Sequence, residues 1–263
     1  MSDSYRVLRG DDWAPWLREC LPAPPAEMRS WMEQHTRLLK SDTYSRVGLL
    51  SVHGQACFLK LYIAKSNLQN LGFRFAYGRG IHSFDAASRL LRAGLRVPAP
   101  RTCVLGPGGM LLLTEGMEDS CDLRSLWLTQ PAEEATWRYI RQAGETLSAL
   151  HLAGFAHGDC KWSNLLWSSD AFYLVDLEDV RRVRARGAQL KSLHALQLQD
   201  IARFTADAER LRASTGQYEI FLESYCTSLH YPREKLLDQI KQPVAVIRKR
   251  HERKSGRSHQ VLL

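Results

Sequence analysis

Apolar positions follow two rhythms along this chain, and the switch between them predicts its organisation. YSRVGLLSV and QACFLKLYI, within residues 43–63, are two strand-like runs. His53-Gly54 between them predicts a hairpin turn. A second strand pair is predicted at 101–105 and 110–115, turned by Gly106-Pro107-Gly108-Gly109. Between the pairs the period becomes helical over 81–93, IHSFDAASRLLRA, with Phe84, Ala87, Leu90 and Leu91 on one face. Gly94 ends that helix, and Val97-Pro98-Ala99-Pro100 reads as an extended connector.

Further along, residues 132–153 predict a long helix, with Tyr139, Ile140, Ala143, Leu147 and Leu150 at helical spacing. LLW (165–167) and FYLV (172–175) then predict two short strands separated by Ser168-Ser169-Asp170. From about 195 onward the pattern is helical. Residues 1–40 hold several tryptophans and the Pro22–Pro25 segment PAPP, and read as an irregular or helical extension. No internal repeat is visible. The order predicts an α+β fold with a strand-rich N-lobe and a mostly helical C-lobe. The boundaries expected are an extension at 1–40, an N-lobe at 41–116, a C-lobe at 117–245 and a basic tail at 246–263.

Composition narrows the function classes. Six scattered cysteines, with no CxxC pair, read as reduced thiols of a cytosolic protein rather than metal ligands. The start, MSDSYRVLRGDDW, has no apolar core, and no apolar run has the length of a bilayer span. A cytoplasmic protein is therefore expected. The formal charge of +8 favours anionic partners. Arg181, Arg182, Arg184, Arg186 and Lys191 form one cluster; Arg248, Lys249, Arg250, Arg253, Lys254 and Arg257 form another. Aromatic residues do not interleave with the second cluster, so no nucleic-acid partner is expected.

The chemistry concentrates in one stretch. His157-Gly158-Asp159-Cys160-Lys161-Trp162-Ser163-Asn164 has the form H-x-D-x-x-x-x-N, and Asp176 follows an apolar strand twelve residues later. Phosphoryl transfer needs one carboxylate to orient the attacking hydroxyl. It also needs an amide and a second carboxylate to hold Mg²⁺ against phosphate oxygens. A tight loop can aim Asp159 and Asn164 the same way, and a short hairpin can return the chain so that Asp176 faces Asn164.

These motifs resemble the protein-kinase-like superfamily, and HGDxKxxNLL is closest to its small-molecule kinases. FLKLY, RLLRAGLRVPAP, LLLTEGMEDSCDLRSL, LHLAGFAHGDCKWSNLLW, YLVDLEDV and QDIARF, in that order, are similar to bacterial lipopolysaccharide core kinases. These are the Kdo and heptose kinases of the InaA-like group. The resemblance covers about residues 43–230 and implies a bilobal protein-kinase-like fold using ATP and Mg²⁺. It makes Asp159 the catalytic aspartate that positions and deprotonates the acceptor hydroxyl, and Lys161 a charge-neutralising lysine. Asn164 and Asp176 become the metal ligands, with Glu178 reaching a second ion. By the same resemblance Lys60 holds the α- and β-phosphates, Thr114-Glu115-Gly116-Met117 is the adenine-binding hinge, and Asp200 ties down the catalytic loop. It further implies an anionic glycolipid or phosphorylated sugar as acceptor, with peripheral contact to the inner face of the cytoplasmic membrane.

Two features depart from the family pattern. No GxGxxG precedes Lys60, and no glutamate lies in 61–114 to pair with it. Asp85 is the nearest carboxylate and is expected to take that place. Two other readings stay open. One is a kinase for a different hydroxyl, on a small molecule or a protein; the other is a pseudokinase scaffold.

Overall fold

The chain forms two units, Met1–Asp119 and Ser120–Leu263. They are seen in a computed structural model that describes residues 5–21, 28–106, 108–183, 193–256 and 258–263. Pro22–Pro25, Pro107, Arg184, Arg186, Lys191 and Arg257 lie outside the described residues.

The elements of the first unit are β1 (Arg6–Arg9), α1 (Ala14–Cys20), α2 (Met28–His35), β2 (Arg37–Ser41), β3 (Ser45–Val52), β4 (Gln55–Tyr62), α3 (Asn67–Arg74), α4 (Arg79–Arg92), β5 (Pro100–Gly106) and β6 (Gly109–Glu115). The strands form one antiparallel sheet in the order β1-β5-β6-β4-β3-β2. The β3–β4 hairpin closes with Val52 opposite Gln55, and the two turn residues, His53 and Gly54, both have positive φ (47° and 73°). That is the turn whose twist matches the strands it joins.

The N-terminal segment corrects the expectation of an irregular or helical extension. It supplies both edge strands of the sheet, and its helices cover one face. Leu17, Met28 and Met32 pack there with Leu59, Leu61, Val104, Leu111 and Leu113. The opposite face carries Tyr62, Cys103, Met110 and Leu112, packed against Phe73 of α3 and Ile81 of α4. Neither edge strand announces itself: β1 is four residues long and β2 is exposed throughout, so neither shows an apolar alternation. On α4 the buried face is Ile81, Ser83, Ala86, Ala87 and Leu90, whereas Leu91, expected with them, is exposed.

The elements of the second unit are β7 (Cys121–Asp122), α5 (Leu123–Leu128), α6 (Glu133–Leu152), β8 (Phe155–Ala156), β9 (Leu165–Ser168), β10 (Ala171–Leu174), β11 (Arg181–Arg182), α7 (Ala195–Arg210), α8 (Thr215–Leu229) and α9 (Arg233–Ser255). The β9–β10 turn is Ser169-Asp170, again with two positive φ values. Two capping boxes start the helices: His194 with Gln197 opens α7, and Ser214 with Gln217 opens α8. Ile140, Ala143, Leu147 and Leu150 of α6 are buried, as their spacing predicts, and Tyr139 sits at the margin, edge-on to Trp167. α9 runs unbroken through position 246, where the sequence placed the start of a basic tail. Its Arg248 grips the buried Glu209 of α7 with two hydrogen bonds of 2.7 and 2.6 Å, and the Leu262 amide donates to the same carboxylate.

Candidate active site

The loop between β8 and β9 is built from the backbone outward. Asp200 on α7 is fully buried, and its carboxylate accepts the amides of His157 (2.6 Å) and Gly158 (2.9 Å). Asp207 lies seven residues further along the same helical face and accepts the amide of Trp162 at 3.0 Å. The Trp162 indole donates to the Phe204 carbonyl at 3.1 Å. Gln197 donates to the carbonyls of His151 and Phe155 at the loop's entry. One face of α7 therefore satisfies the loop's buried polar groups, each of which would otherwise cost about 1–3 kcal/mol.

Behind Asp200, burial keeps the Tyr225 hydroxyl protonated by pushing its pKa well above the ordinary value. That hydroxyl lies 2.6 Å from His151 Nδ1, and His151 Nε2 lies 3.4 Å from Asp200 Oδ2, a carboxylate oxygen that accepts from Nε2–H. His157 acts as a strut. The Asp159 amide can only donate, so His157 Nδ1 accepts it (3.4 Å) and Nε2–H donates to the Val175 carbonyl at 3.0 Å. The ring thus ties the loop to the end of β10. Gly158, at φ 84°, permits a second close approach: a Cβ there would lie 2.4 Å from the Asp179 carbonyl oxygen.

On this frame sit the predicted groups. Lys161 Nζ lies 2.6 Å from Asp159 Oδ2. Asn164 Nδ2 donates to the Asp159 carbonyl at 2.8 Å and stands 3.5 Å from Oδ2. Among the described residues, Asp159 Oδ1 and Asn164 Oδ1 accept no hydrogen bond. The Val175 amide donates to the Asn164 carbonyl (3.1 Å), so the hairpin ladder sets Asn164 opposite Val175 rather than Asp176. Asp176 is the next residue, and it adopts left-handed backbone, φ 61° and ψ 56°. A non-glycine residue held there costs about 1–3 kcal/mol and is typical of functional sites. Glu178 lies in the short 3-10 turn Leu177–Asp179 that follows. Cys160, inside the loop, is fully buried, and burial raises its thiol well above its ordinary pKa, so it is inert packing.

In the first unit Lys60 is on β4, its Nζ 5.1 Å from the centre of the Tyr62 ring. Glu115 ends β6, and its carboxylate accepts the Ala99 amide at 3.1 Å. Met117 follows in the stretch leading out of the unit. Asp85 corrects the expected pairing with Lys60. Its two oxygens are taken by Arg9, at 2.9 and 3.2 Å. Arg9, Cys103, Leu112 and Lys60 form one row across β1, β5, β6 and β4. Three strand spacings, about 14 Å, thus separate the backbones of Arg9 and Lys60. The sequence reading missed Arg9, Gln197 and Asp207. Asp207 had a signal in its seven-residue spacing from Asp200; Arg9 had none.

Asn164 and Asp176 supply hard oxygen donors of the kind Mg²⁺ takes. Among the described residues no three His, Cys, Asp or Glu side chains are grouped to hold a metal by themselves. A metal here would need the Asn164 amide and phosphate oxygens as further ligands.

The family model "Lipopolysaccharide kinase (Kdo/WaaP) family" matches residues 29–218. A curated relative, a probable bifunctional tRNA threonylcarbamoyladenosine biosynthesis protein of Methanocorpusculum labreanum, is 32% identical over 93 residues. That match takes in 34% of this chain and 16% of the relative, so the chain spans about a sixth of that relative's length. A solved structure, WaaP in complex with acyl carrier protein, superposes with a TM-score of 0.58 at 18% identity, covering 91% of this chain and 96% of that one. At that identity the likeness is one of fold. With the family model spanning strands β2 to β6 of the first unit and the His157–Asn164 motif of the second, the chain belongs to the lipopolysaccharide kinase (Kdo/WaaP) family, a family of phosphotransferases.

Proposed function

We propose that this chain transfers the γ-phosphate of ATP to a sugar hydroxyl of the lipopolysaccharide core. The observation that carries the reading is the Asp159–Lys161–Asn164 cluster, fixed through backbone bonds to buried Asp200 and Asp207. Asp159 Oδ1 is the atom turned to the acceptor hydroxyl, orienting it and taking its proton as the oxygen attacks phosphorus. Lys161 balances the charge of Asp159 in the resting loop and that of the phosphoryl group during transfer. Asn164 and Asp176, with Glu178, would hold Mg²⁺. When bound, that ion neutralises phosphate charge. Lys60 binds the α- and β-phosphates, and the backbone of Glu115–Met117 binds adenine. Asp85 is not part of this machinery, because Arg9 engages it.

The acceptor reading rests on the family and on charge. Lys249, Arg250, Arg253 and Lys254 crowd the exposed end of α9, and with Val246 they line one shallow recess of about 500 Å³. None of the four has an ion-pair partner among the described residues. Such a face attracts an anionic membrane surface at about 1 kcal/mol per basic residue. No helix among the described residues is long and apolar enough to cross a membrane. Incubation with ATP, Mg²⁺ and purified core oligosaccharide is expected to yield phosphosugar. Asp159→Ala is expected to lower the rate about 10²–10⁴-fold without lowering the melting temperature. Nucleotide binding with no turnover across a full acceptor panel would replace this reading with that of a scaffold.

A further inference from the structure

The three most exposed large apolar side chains among the described residues are Tyr77 (80%), Leu68 (79%) and Phe75 (77%), and Leu71 (48%) lies among them. All four fall on α3 and the turn that follows it. Leu68, Leu71 and Phe75 are spaced i, i+3, i+7 and so form one stripe. Phe73, on another side of the helix, is fully buried and anchors it to the sheet. The stripe is a built feature. Ser66 caps the helix start by accepting the Gln69 amide. The helix ends in a doubly hydrogen-bonded cap: Tyr77 N–H donates to the Gly72 carbonyl at 2.9 Å and Ala76 N–H to that of Phe73 at 3.1 Å. The left-handed position of that cap, normally glycine, is Ala76 at φ 55°. The strained turn leaves Phe75 and Tyr77 on either side of it, both in water.

The surroundings identify the occupant. From Thr43 to Phe84 the sequence has no acidic residue, while Arg46, Lys60, Lys65, Arg74 and Arg79 fall within it. Arg74 is exposed beside the stripe, and Lys65 stacks over the Tyr44 ring at 5.1 Å. Arg46 is neutralised by Glu33 and Asp42 caps the turn at Tyr44, so the cations left to the patch are Lys65, Arg74 and Arg79; leucine, phenylalanine and tyrosine beside such an excess match a bilayer interface carrying anionic headgroups. Tyrosine suits the headgroup level and the aliphatic and phenyl groups the acyl boundary. Self-association through this patch would set like charges against each other.

We propose that the α3 stripe docks this chain into the interface of an anionic membrane, with Leu68, Leu71 and Phe75 entering the acyl boundary. Its purpose, though not its observations, rests on the reading of the acceptor as a membrane glycolipid. The attraction of α9 is screened by salt, whereas apolar insertion is not, and this separates the two. The test sediments the full chain with vesicles of phosphatidylcholine, with and without phosphatidylglycerol, at low and high salt. The wild type is expected to bind the anionic vesicles and to keep part of that binding at high salt. Leu68→Ser with Phe75→Ser is expected to weaken the salt-resistant part at least about tenfold, or about 1.4 kcal/mol. Its melting temperature and its phosphorylation of water-soluble core oligosaccharide should match the wild type. The proposal falls if the wild type ignores vesicles or if the variant binds them equally well. It also falls if the wild type is a dimer that the variant converts to monomer. Turnover absent from both proteins, with vesicle binding intact, would sink the kinase reading and leave the docking standing.

Discussion

The His157–Asn164 loop of the second unit and the Lys60 strand of the first are built on opposite principles. In the loop, the eight residues from His157 to Asn164 carry the motif's side chains, and α7 fixes their backbone from beneath. Asp200 and Asp207 bind three loop amides between them, and Gln197 binds two carbonyls just before the loop. On the sheet that carries Lys60, pairings join distant parts of the chain. The carboxylate twenty-five positions later that spacing offers to Lys60 is claimed by Arg9 from an edge strand. A motif whose parts are local survives translation from sequence to structure, whereas a pairing across a sheet depends on which strand lands beside which helix.

The sharpest way to break this comparison is to treat Lys60 and Asp85 as though they were partners. Lys60→Ala is expected to lower phosphotransfer about 10²–10³-fold, the usual cost of losing one positioned electrostatic group. Asp85→Ala should change it by less than about threefold, since Arg9 rather than Lys60 occupies its oxygens. The stability cost of Asp85→Ala should stay under about 1 kcal/mol, because the Arg9–Asp85 pair is 39% and 40% exposed. Steady-state kinetics and urea denaturation of both variants measure this. Equal losses of activity would restore the pairing that the coordinates deny.

A smaller effect sharpens the other half. Asp200→Ala leaves two buried loop amides without an acceptor, at about 1–3 kcal/mol each. The melting temperature should fall by roughly 5 °C or more for a protein of this size. Asp200→Asn retains one acceptor oxygen and should lie between the two. A wild-type melting temperature for Asp200→Ala would mean that α7 does not carry the loop.

The smallest effect is one of pH and belongs to the sheet. Burial pushes the Cys103 thiol up to about 12 and the Cys57 thiol up to about 11, from an ordinary 9.0. Below the ordinary value the thiols are neutral in both folded and unfolded chains, and their contribution is fully present. Above it the unfolded chain ionises first, so stability is lost as pH rises from about 9 toward 11–12. Melting curves across that range should decline, and Cys103→Ala should flatten part of the decline.

How much was legible varied by residue. The β3–β4 and β9–β10 hairpins were visible because each turn falls between strand-forming runs, and α6 because its apolar positions repeat at helical spacing. The chemical motif was visible because its side chains sit within one loop and one hairpin. α3 was invisible because it buries Phe73 alone while Leu68 and Leu71 face water, which leaves no apolar face to read. The edge strands were invisible for different reasons: β1 is only four residues long, and β2, exposed throughout, has no buried face to write into the sequence.

By itself, then, the sequence determined the family, the two hairpins with α4 and α6 beside them, and the identity of the loop residues. These depend on neighbours within a few positions, where covalent geometry and side-chain period leave little choice. Tertiary structure alone decided that Arg9 takes Asp85 and that Glu209 holds Arg248 and the Leu262 amide. It also decided that the N-terminal strands complete the sheet. Those outcomes turn on which distant groups are desolvated together. A charge pairs with whichever partner the packing delivers, whether the pair is half-exposed like Arg9–Asp85 or closed over like Arg248–Glu209, and spacing along the chain does not encode that delivery.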